Sequence, residues 1–163
     1  MNIILIGMPG CGKSTVGVLL AKTLLYNFVD TDLIIQNRYG ESLCALIEKY
    51  GLEGFKEIEN KVISEFDGEN TVVATGGSAV YGKEAMDNLR SKGRTVYLKL
   101  SATDIIRRID NVTTRGIAME KGCTIAQLYA ERAPLYEHYA DITIDCTNLA
   151  IEECVAKIKN AIE

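Results

Sequence analysis

Gly7-Met8-Pro9-Gly10-Cys11-Gly12-Lys13-Ser14-Thr15 leaves directly from the apolar run Asn2-Ile3-Ile4-Leu5-Ile6. The stretch fits G-x-x-x-x-G-K-[ST], the loop that joins a buried strand to a helix and cradles phosphate. Chemistry dictates its spacing. Glycines at 7, 10 and 12 let the backbone turn tightly and point its N–H groups inward, where side chains would block a triphosphate. A helix beginning at Lys13 adds its own unpaired N–H groups and its dipole. The expected nucleotide-binding set is therefore Gly10, Cys11, Gly12, Lys13, Ser14 and Thr15. Lys13 reaches the β- and γ-phosphates and the Ser14 hydroxyl ligates the metal, which implies ATP and Mg²⁺ as cofactors.

Outward from this loop, helical and strand patterns alternate to the end of the chain, the mark of an α/β domain with a parallel sheet. A helix is expected over 13–25, with Val16, Leu19, Leu20 and Leu24 on one side. A short strand over 27–29 ends at Asp30-Thr31-Asp32. Helices follow over 33–38, over 42–50 with Gly51 as a left-handed cap, and over 52–66. The strand 71–74 is stopped by Thr75-Gly76-Gly77-Ser78, and a helix over 83–92 is stopped by Gly93. A strand over 95–100 leads to Ser101, an N-cap with acidic Asp104 in the first turn. Residues 110–122 lack a period and read as a mobile loop. Thr124 and Gln127 form a capping box for a helix to about residue 140, in which Pro134 predicts a kink or break near Arg132. The strand 142–144 and a terminal helix from about residue 150 complete the chain.

With 163 residues, 47% of them apolar, the chain supports one domain with a real core. A net charge of −4 argues against a nucleic-acid surface, and no apolar run is long enough to span a bilayer. Met1 leads straight into the first strand and leaves no room for a signal peptide. The five cysteines form neither a C-x-x-C pair nor a zinc spacing, and read as reduced thiols of a cytoplasmic protein. His138, the one histidine, reads as a surface residue.

Ligands of such sheets sit at the carboxyl ends of the strands. The residues there are the phosphate loop, Asp30 and Asp32, Gly76 and Gly77, and Asp145. Together with Gly54-Phe55-Lys56-Glu57-Ile58-Glu59, Thr114-Arg115, Arg132-Ala133-Pro134-Leu135-Tyr136 and Ile144-Asp145, they carry a resemblance. The chain resembles the shikimate kinases over nearly its whole length. The resemblance implies a five-stranded parallel sheet of order 2-3-1-4-5 with helices on both faces. It also implies a single kinase domain over 1–163, with a substrate-binding helical region over about 32–62 and a lid over about 110–123.

The same resemblance assigns roles. Asp32 binds the acceptor hydroxyls and takes the proton of the attacking one, while Asp30 helps hold the Mg²⁺ shell; Asp is also a common N-cap, and the two roles coexist. Lys56 and Arg132 clamp the acceptor carboxylate, and Gly76, Gly77 and Ser78 form the loop beneath it. Arg115 in the lid reaches the transferring phosphoryl group, and Arg107 or Arg108 stacks on adenine. The family pattern is departed from at three places, one of them a pair of residues. Lys56 replaces an arginine, exchanging a planar fork for a point charge at a cost on the order of 1–2 kcal/mol in binding. A general alternative for Lys56 is a solvated helix residue paired with Glu59 or Asn60. Ser78 stands where a third glycine is usual, and Gly116-Ile117 follow Arg115 in place of Pro-Leu, which predicts a more flexible lid. The expected activity is ATP-dependent phosphorylation of the 3-hydroxyl of shikimate by a monomer. The departures keep open another hydroxy acid such as gluconate as acceptor. Two other readings are a nucleotide-binding module without transfer activity and a nucleoside-monophosphate kinase.

Overall fold

The four apolar side chains Ile3, Ile4, Leu5 and Ile6 of the strand Asn2–Ile6 (β1) are fully buried. A strand buried on both faces belongs in the middle of a parallel sheet, and β1 is there. The computed structural model, which describes residues 1–110 and 116–163, adds β2 (Asn27–Asp30), β3 (Thr71–Ala74), β4 (Gly93–Lys99) and β5 (Ile142–Asp145). All pair in parallel in the order β2-β3-β1-β4-β5, as the resemblance implied. Ile4 stands opposite Val73 on one side and Thr95 on the other. The helices are α1 (Lys13–Leu24), α2 (Thr31–Tyr39), α3 (Leu43–Ser64), α4 (Lys83–Lys92), α5 (Ala102–Asp110), α6 (Ile125–Tyr139) and α7 (Ile151–Ile162). They cover both faces of the sheet, with α1 against α7 and α3 against α4. The order places the loop after β1 at the carboxyl edge, flanked by the ends of β3 and β4.

Four local expectations are revised. Gly51 does break the helical run inside α3, but at φ 74°, ψ 175°, so it is not a left-handed cap. Pro134 does not break α6, which continues through Arg132 to Tyr139. The carbonyl that Pro134 leaves unpaired belongs to Ala130, and both residues face water, so the lost bond costs little. Gly93 is the first residue of β4; a Cβ there would lie 2.2 Å from the Asn2 carbonyl oxygen. A single 3-10 turn, Ala79–Tyr81, follows the Gly76-Gly77 loop and was not expected.

Two apolar clusters form among the described residues. The larger wraps the sheet. The smaller joins Ile35 of α2 to Leu46, Phe55 and Val62 of α3, and takes in Ala118 from the segment after the undescribed residues. The α2–α3 region therefore packs around its own small core, beside the carboxyl edge of the sheet.

Candidate active site

Gly10 and Gly12 hold φ of 80° and 94°, a region that costs L side chains energy and that lets the loop close over α1. Lys13 is buried, and its Nζ donates to the carbonyl oxygens of Gly7 (2.8 Å) and Met8 (2.9 Å). The loop is thus braced across its own mouth by the cation that the motif reserves for phosphate. Cys11 contributes as backbone: its side chain is buried in the core and its amide donates to the Met8 carbonyl at 3.2 Å. Ser14 Oγ donates to Asp30 Oδ2 at 2.7 Å, while Asp30 Oδ1 accepts the Asp32 amide at 2.9 Å and caps α2. Asp30 therefore does two jobs at once. A hydroxyl and a carboxylate facing each other beside the phosphate loop are hard oxygen donors, the set that suits Mg²⁺ with its retained waters.

Asp32, Gly76, Gly77 and Arg132 share one cavity of about 270 Å³ with Gly10, Gly12, Lys13, Ser14 and Thr15. The acceptor side is tightly fitted. An added Cβ on Gly76 would lie 2.6 Å from both Asp32 Oδ1 and Glu59 Oε2, so two carboxyl groups converge on that glycine. The Gly76 amide itself donates to Thr31 Oγ1 at 3.1 Å and ties β3 to the start of α2. A Cβ on Gly77 would meet Pro9 of the phosphate loop at 2.8 Å and Arg132 Nη1 at 2.9 Å. Arg132 is 1% exposed; its Nη2 donates to the Ala118 carbonyl at 2.6 Å. One turn further along α6, the Tyr136 hydroxyl donates to the Gly77 carbonyl at 2.6 Å and its ring stacks on Tyr97. Burial raises the Tyr136 phenol above its usual range, so it stays a donor.

Glu59 has a place in this site that the sequence motif alone does not assign. It lies on the inner face of α3, one turn after Phe55, and is 1% exposed. Burial pushes its carboxyl up to about 7, with the Asp32 charge adding to the rise and the Ser78 hydroxyl opposing it. Ser78, with an ordinary φ of −92°, donates to Glu59 Oε1 at 2.5 Å. Glu59 Oε2 is buried without a hydrogen-bond partner among the described residues. The spacing Phe55, Glu59, Ile63 puts a carboxylate on an apolar stripe, and that signal could have found it.

Other expected residues sit elsewhere. Lys56 is not on the wall of this cavity: its Nζ lies 4.1 Å over the Tyr81 ring and its ion pair, at 3.4 Å, is with Glu53 rather than with Glu59 or Asn60. Arg107 is largely exposed and pairs with Asp104, whereas Arg108 Nη1 reaches the Gly10 carbonyl at 3.4 Å. Of the two, Arg108 meets the phosphate loop. Asp145, at the end of β5, is lowered by its bond to Thr147 and shapes the turn there. His138 is exposed, as expected. Arg115 lies outside the described residues. No helix among the described residues is long and apolar enough to cross a membrane.

A phosphate loop, a serine–aspartate pair and a buried arginine beside two carboxyl groups make a site for moving phosphate onto a small polar acid. Known proteins agree with that chemistry. A family model described as shikimate kinase matches residues 9–163. The shikimate kinase of Francisella tularensis subsp. holarctica is 37% identical over 161 residues, covering 96% of this chain and 92% of that protein. The structure of shikimate kinase from Acinetobacter baumannii in complex with shikimate superposes with a TM-score of 0.88 at 30% identity, over 99% of this chain and 92% of that one. Shikimate kinase from Aquifex aeolicus gives 0.83 at 34% identity, over 99% and 96%. Carrying the phosphate loop and the strand order of that group across almost its full length, the chain belongs to the shikimate kinase family.

Proposed function

We infer that this protein transfers the γ-phosphoryl group of ATP to the 3-hydroxyl of shikimate. The observation that carries the reading is the shared cavity, in which Lys13 and Ser14 face Asp32, Gly77 and Arg132. In the reaction, the acceptor oxygen forms a bond to Pγ as the bond from Pγ to the β–γ bridging oxygen breaks, leaving ADP. The proton of the attacking hydroxyl passes to the Asp32 carboxylate. Most of the gain comes from positioning and charge, so the base is a modest contributor. Lys13 exchanges its loop carbonyls for β- and γ-phosphate oxygens. Ser14 and Asp30 would hold Mg²⁺, which supplies charge neutralisation at the phosphates. Arg132 and the Gly77 amide orient the acceptor carboxylate, with Lys56 outside the cavity wall. Arg108 lies over the loop on the nucleotide side, and Arg115 is the lid cation. The working unit is a monomeric single domain with the acceptor region over about 32–62 and the lid over about 110–123, acting in the cytoplasm.

A coupled ADP-release assay with Mg-ATP tests this, with shikimate, quinate and gluconate added in turn. Turnover that depends on shikimate and responds little to the other two is expected. Equal or better turnover on gluconate would sink the acceptor assignment and leave the phosphate site standing.

A further inference from the structure

Two cations, one from α3 and one from α6, gather on one aromatic ring. Lys56 Nζ is 4.1 Å and Arg132 Cζ 5.4 Å from the centre of Tyr81. Arg132 Nε also donates to the Tyr81 hydroxyl at 3.4 Å, and that hydroxyl donates to Glu131 at 2.7 Å. Tyr81 comes from the 3-10 turn directly after the Gly76-Gly77-Ser78 loop, so its place is fixed by the same turn that floors the acceptor site. Ordinary helix geometry would pair Lys56 with Glu59, three residues on. Glu59 is instead buried against Ser78, and the lysine pairs with Glu53 and lies over the ring. Beyond the ring, Lys56 and Tyr81 line a small cavity of about 110 Å³ that shares Ala118 with the main one.

Two like charges held near each other repel. A ring face between them attracts both, since its quadrupole is negative where each cation sits. We propose that Tyr81 is a positioning residue for the acceptor carboxylate, an aromatic platform that holds Arg132 in place at the acceptor cavity and keeps Lys56 on the ring outside it. The proposal rests on the acceptor being a carboxylate bound at Arg132.

The test compares the wild-type protein with Tyr81→Leu and Tyr81→Phe on shikimate and on its analogue with the carboxylate reduced to an alcohol. Tyr81→Leu should raise the shikimate KM roughly five- to tenfold and leave kcat within about twofold, the split expected when uniform binding is lost. Tyr81→Phe, which keeps the ring, should restore KM to within about twofold of wild type. On the carboxylate-free alcohol the leucine penalty should vanish, and the KM for ATP should not change in any variant. An equal penalty on both acceptors, or a phenylalanine variant as impaired as the leucine one, would overturn the platform role. So would an unchanged shikimate KM in Tyr81→Leu. A wild-type protein that fails to turn over shikimate would overturn the acceptor reading, and this proposal with it.

Discussion

Glu59 shows how a single buried carboxyl ties stability to pH. Its ordinary value is 4.5 and the folded protein raises it to about 7, chiefly through burial. The folded state thus holds the proton more tightly than the unfolded chain. The stabilisation is complete below the unfolded value and is lost as pH rises through about 7. The span between the two values corresponds to on the order of 3 kcal/mol. Urea unfolding at pH 5 and pH 8 should therefore show wild type losing stability on this scale, and Glu59→Gln losing much less. Parallel profiles for the two proteins would remove Glu59 as the cause. The sequence displayed this residue without revealing its weight, because an i, i+4 spacing from Phe55 does not say that water is shut out. The choice between Arg107 and Arg108 was open for a similar reason. Adjacent residues on a helix differ by about 100° in direction, and the seating of buried Ile105 decides which one faces the loop.

At the scale of elements, the segment that begins at Gly116 explains one departure from the family pattern. An added Cβ on Gly116 would lie 2.9 Å from the Cys44 amide nitrogen and 3.0 Å from Leu43 Cβ at the start of α3. Glycine at 116 is a fitting for close approach, which qualifies the expectation of a more flexible lid. Two residues later, Ala118 enters the α2–α3 cluster and its carbonyl accepts Arg132. Gly116→Ala should push this segment off α3, loosen Arg132 and raise the shikimate KM by about three- to tenfold, on the scale of one charged hydrogen bond weakened. Steady-state kinetics with an unchanged KM would show that the segment yields without cost. Periodicity read most helices well, including the Thr124–Gln127 capping box, which is present with both bonds. It could not see the three-residue turn at Ala79–Tyr81, too short to repeat, nor that Pro134 would be tolerated on a solvent-facing side.

Across the whole molecule, the alternation of strands and helices announced a parallel sheet, while the strand order came from the family resemblance. Order depends on distant pairings that no local pattern encodes: Asn2 donates to the Gly68 carbonyl and accepts the Thr71 amide, fastening the start of β1 beside β3. The division into two apolar clusters was also hidden, since both are built from similar residues. It has a measurable result. The smaller cluster has few fully buried members, so amides of α2 and of the first half of α3 should exchange with deuterium at least about tenfold faster than those of β1. Shikimate should slow exchange there more than in the sheet. Uniform exchange across both regions would mean that the α2–α3 region opens only with the whole fold.

Arg132 and Tyr136 stand one helical turn apart on α6, one contacting the acceptor cavity directly and the other pinning the Gly77 carbonyl beneath it. The helix therefore works as a ruler. A residue inserted between them would rotate one against the other by about 100° and shift it about 1.5 Å, so the arginine and the loop could no longer be served together. Of the side chains between them only that of Pro134 faces water, and the number of residues is as fixed as the two contacts they space.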